Sequence, residues 1–152
     1  MDISKITDYL YIAAQPNFAD AEEIRDLGIQ LIINMIFRPP AKVYTQLPFQ
    51  MVTLRSFDSV FLPIPIWKLK KGVMSALPVM KEGNSVLVYC RKGRHRSVAM
   101  CAAILIALDY SADEAMKLIK ERREVADPYA SHIQRVIKTF ESEWCNLLAS
   151  FH

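Results

Sequence analysis

The sequence predicts a single α/β domain over residues 1–152, with a mixed sheet of about four or five strands flanked by helices. Short apolar runs of strand length alternate along the chain with longer segments of helical period. Apolar residues make up 52% of the 152 residues, which is enough to bury one sizeable core. No repeat and no Gly/Ser-rich linker divides the chain, so one domain is expected.

In the first half of the chain, three short apolar segments predict strands. They are Leu10–Ala13, Gln30–Ile36 and Gln50–Leu54. Between the first two, apolar residues recur at helical spacing from Asp20 to Leu27. Gly28 is expected to end this helix, because glycine readily adopts the left-handed conformation of a C-cap.

The second half predicts one strand and four helices. Apolar residues keep one helical face from Ile66 to Met80, and Gly83 is the expected stop. Pro78 lies inside this pattern and is expected to kink or shorten the last turn. The other elements are the strand Ser85–Tyr89, an almost wholly apolar helix Ser97–Asp109, a helix from the capping box at Ser111 to about Arg123, and an amphipathic helix Ile133–Leu148.

Composition excludes several classes of protein. A net charge of only +3 with 23% charged residues argues against a disordered chain and against an obligatory nucleic-acid partner. The longest nearly apolar run, Val98–Leu108, is too short to span a bilayer, and the N-terminus lacks a signal-peptide pattern. Three cysteines are too few and odd in number for a disulfide framework. We therefore expect a cytoplasmic, monomeric protein.

The segment from Cys90 to Ser97 carries the strongest functional signal. It follows a predicted buried strand and precedes a predicted buried helix, so it forms a tight loop at a helix N-terminus. Cys90 opens the loop, Arg96 closes it with five residues between them, and Gly93 allows the backbone to curl. Successive backbone N–H groups in such a loop form a cradle for an anion.

The residue types in this loop suit attack on a bound tetrahedral anion. The N–H dipoles and the helix N-terminus should lower the pKa of Cys90, which makes its thiolate a nucleophile at neutral pH. The planar fork of Arg96 can hold two oxygens of the anion, and Ser97 can donate a hydrogen bond to the sulfur. The expected phosphate-binding residues are Arg91, Lys92, Gly93, Arg94, His95 and Arg96.

The loop and its setting resemble a known family. Cys-x5-Arg-Ser, here Cys90 to Ser97, is similar to the signature of the protein tyrosine phosphatase superfamily, and residues 3–144 look like its small dual-specificity branch. The resemblance implies a phosphatase that works without a cofactor through a phosphocysteine, on phosphotyrosine and phosphoserine or phosphothreonine of proteins. The family usually has His before the nucleophile, where this chain has Tyr89. One expectation is that the Tyr89 hydroxyl replaces the hydrogen bond of that His.

A phosphate ester needs a proton for its leaving oxygen, and Asp58 is the candidate donor. Between residues 27 and 108 the acidic residues are Asp58 and Glu82, and Glu82 stands at an expected turn. Asp58 lies in the loop Arg55–Pro65, 32 residues before Cys90, which is where the resembled family places its general acid. The alternative is that Asp58 caps a turn or the next helix.

No catalytic or metal-binding role is predicted for the remaining cysteines and histidines. Cys101 is expected to be a packed core thiol rather than a disulfide partner of Cys90, and Cys145 is expected to be incidental. The His95 side chain is expected to face outward rather than to take part in proton transfer. His132 and His152 belong to no recognisable metal-ligand pattern, so no metal site is predicted.

Basic residues around the loop favour an anionic substrate. Arg91, Lys92 and Arg94 lie within the loop, and a second group, Lys68, Lys70 and Lys71, follows the Asp58 loop in sequence. If both groups flank one shallow mouth, they attract highly anionic partners. The expected substrate is a phosphorylated protein or another anionic phosphomonoester.

Four alternatives stay open at this point. The substrate could be a phosphoinositide or an RNA 5′-phosphate instead of a phosphoprotein. A rhodanese-like sulfurtransferase also opens its loop with Cys after a strand, but that loop has typically one residue fewer, Cys-x4-Arg. An inactive phosphate-binding module is disfavoured by the joint presence of Cys90, Arg96, Ser97 and Asp58.

Overall fold

The computed structural model describes residues 1–151, and His152 lies outside the described residues. The chain forms one five-stranded sheet with five α-helices and two short 3-10 helices, Phe18–Asp20 and Lys42–Thr45. The strands are β1 (Ile3–Thr7), β2 (Leu10–Ala14), β3 (Ile29–Asn34), β4 (Gln50–Thr53) and β5 (Ser85–Cys90). The helices are α1 (Ala21–Asp26), α2 (Ile66–Lys81), α3 (Arg96–Ala107), α4 (Ala112–Arg122) and α5 (Ser131–Ala149).

The sheet is mixed, as the sequence predicts. Its strand order is β1-β2-β5-β3-β4, in which β2, β5, β3 and β4 run parallel and β1 pairs antiparallel with β2. The central strand β5 is buried along its whole length, which explains its continuous apolar sequence. Ala14 of β2 pairs with Cys90, so Cys90 ends β5 at the carboxyl edge of the parallel strands. Ligands of open α/β sheets bind at this edge.

Helix α3 lies at the centre of the helical layer. It packs on β2 and β5 and contacts α2, α4 and α5, and every residue from Ser97 to Ile106 is buried. Burial on all sides accounts for its almost wholly apolar sequence. Helix α1 packs against β3.

Two local predictions need correction. Strand β1 is not among the strands predicted from apolar runs, because it is an edge strand in which only Ile6 is fully buried. Helix α2 continues through Pro78 to Lys81 rather than losing its last turn. Proline removes a single N–H donor there, and burial of Ala76 and Val79 keeps the turn on the core.

Several expected boundaries are confirmed. Gly28 and Gly83 have φ values of +77° and +83°, and each follows the C-cap residue of its helix, Leu27 after α1 and Glu82 after α2. This is the usual place for a glycine that ends a helix. Ser111 and Glu114 form the capping box that begins α4. Among residues 1–151, no helix has the length and apolar character needed to cross a membrane.

Candidate active site

The loop from Arg91 to His95 turns its carbonyl groups outward. Each of its five carbonyl oxygens accepts a hydrogen bond from outside the loop or from α3. The donors are Gln15 N to Arg91 O (3.3 Å), Arg123 Nη2 to Lys92 O (3.0 Å), Arg123 Nε to Gly93 O (2.8 Å), Asp127 N to Arg94 O (3.0 Å) and Ala99 N to His95 O (3.0 Å). Because the carbonyls are used in this way, the N–H groups are left to face the inside of the loop.

Arg123 supports this loop by donating hydrogen bonds to two of its carbonyl groups. The sequence did not indicate this role. Its side chain is only 2% exposed, and it also forms a bidentate ion pair with Asp2, with Nη1–Oδ1 and Nη2–Oδ2 distances of 2.9 and 3.0 Å. Gly93 has a φ of +65°, and a Cβ there would lie 2.6 Å from the Arg123 guanidinium and 2.8 Å from the backbone of Ala13. Glycine is therefore required at this position for both conformation and space.

The Cys90 thiol lies at the base of the loop. Its Sγ is 3.1 Å from Oγ of Ser97, which is fully buried in the first turn of α3. Burial alone would raise the pKa of Cys90. Hydrogen bonds from the Ser97 hydroxyl and from the loop's backbone N–H groups outweigh this effect, so the pKa lies below its ordinary value. The predicted direction of the shift therefore agrees with this geometry.

Arg96 joins the phosphate loop to the Asp58 loop. Its Nη1 donates to the carbonyl oxygen of Ser56 at 3.0 Å. Its buried Nε has no hydrogen-bond partner among residues 1–151, so one donor of the guanidinium is free for a ligand oxygen. Asp58 and Arg96 line the same cavity as Cys90, with a volume of about 290 Å³.

Asp58 is held by two imidazole rings. Its Oδ2 is 2.9 Å from Nδ1 of His95, and its Oδ1 is 2.6 Å from Nε2 of His132. Partial burial raises the pKa of Asp58, but the hydrogen bonds from the two histidines lower it by more, and the pKa lies below its ordinary value. The carboxylate form suits a base, whereas service as an acid requires a proton to reach Asp58 along one of these hydrogen bonds.

These contacts correct two expectations about the histidines. His95 faces Asp58 instead of pointing away, because its ring sits just before α3 and turns toward the Asp58 loop. His132 does belong to a cluster that could hold a metal ion, since the ligand atoms of Asp58, His95 and His132 lie within 4.8 Å of one another. In this structure those atoms form hydrogen bonds with each other. His132 was missed because it lies 74 residues from Asp58 in sequence.

Tyr89 does not replace the hydrogen bond of the usual His. Its hydroxyl is buried and has no hydrogen-bond partner among residues 1–151. Adjacent residues of a strand point to opposite faces of the sheet, so Tyr89 faces away from the Cys90 side chain. Burial, with a smaller effect of Tyr44, raises the pKa of this phenol.

The loop cations line the Cys90 cavity, whereas the α2 lysines are not among the lining residues in the described chain. Arg91, Lys92 and Arg94 line the Cys90 cavity, as expected. The lining residues of this cavity, within the described chain, do not include Lys68, Lys70 or Lys71. Lys68 instead donates to the carbonyl of Arg55 and lies beside the Trp67 ring. For the lysines of α2, the expectation that they flank the mouth stays a prediction.

The other cysteines take the places that their sequence context predicts. Cys101 is a free, fully buried thiol in α3, and burial raises its pKa. Cys145 is free and exposed in α5. Among the described residues no cysteine is in a disulfide.

Comparison with known proteins assigns the family. The family model described as "Dual specificity phosphatase, catalytic domain" matches residues 10–142, which include the Cys90 loop and Asp58. The chain belongs to the dual specificity phosphatase catalytic-domain family. The resemblance noted from the Cys-x5-Arg-Ser signature is thereby confirmed.

Members and structures of this group resemble the chain at low identity. Mouse dual specificity protein phosphatase 2 is 24% identical over 143 residues, covering 93% of this chain and 44% of that protein. The chain thus spans less than half the length of this relative. A crystal structure of PTPMT1 superimposes with a TM-score of 0.86 at 25% identity, covering 97% of this chain and 99% of that one. A second, of PTPMT1 in complex with PI(5)P, has a TM-score of 0.86 at 24% identity and covers 96% and 98%.

Proposed function

We propose that this dual specificity phosphatase domain hydrolyses phosphate monoesters through a phosphocysteine on Cys90. The observation that carries the proposal is the placement of the Cys90 thiol, with a lowered pKa, at the base of a loop whose five carbonyls are all turned outward. A phosphate group in this loop would meet backbone N–H groups and the Arg96 fork, with the sulfur directly beneath its phosphorus.

The first step is attack of the Cys90 thiolate on phosphorus. A sulfur–phosphorus bond forms, the bond to the leaving oxygen breaks, and Asp58 gives that oxygen a proton. Giving up this proton leaves Asp58 as the carboxylate that the second step needs, with the imidazoles of His95 and His132 facing its two oxygens. Arg96 and the loop N–H groups stabilise the equatorial oxygens while charge shifts during the transfer.

The second step returns the enzyme to its starting state. Asp58, as a carboxylate, takes a proton from water, and the resulting hydroxide attacks phosphorus. The sulfur–phosphorus bond breaks, inorganic phosphate leaves, and Cys90 again becomes a thiolate. The Ser97 hydroxyl, 3.1 Å from Sγ, stabilises the departing sulfur by donating a hydrogen bond.

The proposed substrates are proteins that carry phosphotyrosine, phosphoserine or phosphothreonine. The family description and the names of the relatives support this class. A phosphoinositide is the second candidate, supported by Arg91, Lys92 and Arg94 around the cavity and by the structural similarity to PTPMT1, which was crystallised with PI(5)P. A thiolate nucleophile has to stay reduced, so we place this activity in the cytoplasm. We also propose that the protein acts as a monomer.

The experiment is an assay of purified protein on phosphopeptides, phosphoinositides and RNA 5′-phosphates, together with a thiosulfate:cyanide sulfurtransferase assay. We expect phosphate release by the wild type. Cys90→Ser should lose turnover but keep vanadate binding, because the cradle is mostly backbone. Turnover by Cys90→Ser above a tenth of wild type would contradict the covalent mechanism, and sulfur transfer without phosphate release would contradict the phosphatase.

A further inference from the structure

The segment that carries Asp58 has little packing of its own. It connects β4 to α2 without regular secondary structure, and the side chains from Phe57 to Pro63 are exposed except for partly buried Ser59. Phe57, Phe61 and Leu62 are 53%, 88% and 54% exposed, so burial contributes little to holding the loop. The Phe57 ring contacts Phe37 at a centre-to-centre distance of 4.8 Å, beside the contacts of Asp58 described next. Buried Ser56 and Ile64 anchor only its two ends.

Asp58 itself is held by hydrogen bonds from two other elements. His95 precedes α3 and contacts Oδ2, whereas His132 lies in the first turn of α5 and contacts Oδ1. Because each carboxylate oxygen is hydrogen-bonded to a different ring, the orientation of the carboxylate group is fixed. Among residues 1–151 the Asp58 side chain has no other hydrogen-bond partner.

The two rings pack against each other, and His95 lies near a second carboxylate without a hydrogen bond to it. They pack edge to face, with ring centres 5.1 Å apart and an interplanar angle of 75°. Nε2 of His95 lies 3.7 Å from Oδ2 of Asp127, and that carboxylate lies 3.8 Å from the Arg94 guanidinium. A connected set of side chains therefore links the start of α5 to the phosphate loop through Asp58.

We propose that His132 is a positioning residue for the general acid: it holds the Asp58 carboxylate, and with it the exposed loop, beside the Cys90 cavity. This inference rests on the proposed function, in which Asp58 donates the proton. His95 belongs to the phosphate loop, so removal of its side chain would disturb phosphate binding as well. His132 lies outside the loop and bonds Asp58 directly, while its ring also packs against His95 of the loop. An effect on the loop would reach every substrate, whereas loss of positioning would appear only where the leaving oxygen needs a proton.

Two variants of one position provide the test. His132→Leu removes the donor to Oδ1, whereas His132→Gln places an amide N–H where it can reach the same oxygen. On an alkyl phosphate, whose poor leaving oxygen needs a proton, His132→Leu should lower kcat by about tenfold or more. On a nitrophenyl phosphate, whose leaving group needs little protonation, both variants should stay within about twofold of wild type. His132→Gln should retain most of the activity on the alkyl phosphate.

Two controls separate positioning from general damage. In an Asp58→Asn background, His132→Leu should cause no further loss on the alkyl phosphate, because the group that it positions no longer donates a proton. Arg135→Leu makes a comparable change at an exposed position of the same helix and should leave kcat unchanged on both substrates. Equal losses on the two substrates, a persisting loss beside Asp58→Asn, or failure of His132→Gln to rescue would each overturn the proposal.

Backbone order parameters from NMR relaxation provide a readout that does not need catalysis. In Cys90→Ser protein, His132→Leu should lower the order parameters of residues 57–62, while His132→Gln should not. Unchanged order parameters in His132→Leu would overturn the tethering of the loop. If instead the wild-type protein releases no phosphate from any substrate while His132→Leu still lowers the order parameters, the proposed function fails and the tether stands.

Discussion

At the scale of single residues, the site depends on which hydrogen bonds reach the Cys90 sulfur. Burial of this thiol would by itself disfavour the thiolate, and the contacts from Ser97 and the loop reverse that effect. Tyr89 is adjacent in sequence, but its hydroxyl forms no hydrogen bond with any of the described residues. Ser97 therefore lowers the pKa of Cys90, whereas the Tyr89 hydroxyl does not contribute to it. Each residue can be tested by a single substitution.

Replacement of Ser97 by Ala should raise the pKa of Cys90. A hydrogen bond to a charged group contributes about 1.5–3 kcal/mol, so the loss corresponds to an upward shift of about one to two pH units. The thiolate would then exist over a narrower range of pH. When the rate of inactivation by iodoacetate is plotted against pH, the fall in rate on the acidic side (the acidic limb) should therefore move to higher pH. An unchanged limb would show that the backbone N–H groups alone set the pKa.

Tyr89→Phe should stabilise the fold or leave it unchanged. The substitution removes a buried hydroxyl without a partner, and the cost of such a group is about 1–3 kcal/mol. We expect the free energy of unfolding in urea to rise by about 1 kcal/mol, with no shift in the iodoacetate limb. A loss of stability of similar size, or an upward shift of the limb, would mean that the hydroxyl is bonded.

At the scale of elements, the phosphate loop owes its shape to a residue at the end of α4. Arg123 follows α4 directly, and its guanidinium reaches the carbonyls of Lys92 and Gly93 as well as Asp2. The buried Arg123 guanidinium thereby joins the end of α4 to the N-terminal segment and to the phosphate loop. Loop geometry should therefore respond to a change 30 residues away in sequence.

Arg123→Met should both destabilise the protein and weaken anion binding. It leaves two loop carbonyls without their donor, for which we expect a loss of about 2–3 kcal/mol in the free energy of unfolding and a higher Kd for vanadate. Asp2→Asn is the matched control, because it weakens the ion pair of an exposed carboxylate but keeps both carbonyl contacts. Equal changes in stability and in vanadate Kd for the two variants would show that the effect comes from the ion pair with Asp2 and not from the contacts with the loop carbonyls.

At the scale of the whole molecule, charge is concentrated rather than large. The net charge is only +3, yet Arg91, Lys92 and Arg94 all line the cavity that holds Cys90. Like charges around a cleft focus the field and raise the local concentration of anionic partners. The fold places these cations together at the carboxyl edge of the sheet.

Neutralising Arg91 and Lys92 together with Gln should reduce kcat/KM for multiply phosphorylated or acidic substrates more than for a neutral-flanked phosphotyrosine. The wild-type preference itself should shrink as salt rises, because exposed charges are screened over about 8–10 Å at 0.1–0.15 M ionic strength. Lys70→Gln/Lys71→Gln is the matched control, since those lysines do not line the cavity. Equal kcat/KM for charged and neutral substrates at low salt would contradict the steering effect.

The sequence by itself determined the elements and the local part of the site. Apolar runs predicted β2 to β5, helical spacing predicted all five helices, and the strand-loop-helix pattern predicted Cys90, Arg96 and Ser97 within one segment. These inferences succeed because the interactions involved are local: apolar periodicity follows burial, and the Cys90–Ser97 contact spans seven residues. Edge strand β1 escaped prediction because only Ile6 in it is fully buried.

Only the tertiary structure decided which distant residues complete the site. Arg123 meets Gly93 across 30 residues and His132 meets Asp58 across 74, and neither pair has a sequence signal. The structure also left the Tyr89 hydroxyl without a hydrogen-bond partner among residues 1–151. The physical reason is that a side chain's partners depend on how the helices pack on the sheet, whereas periodicity reports only that a residue is buried.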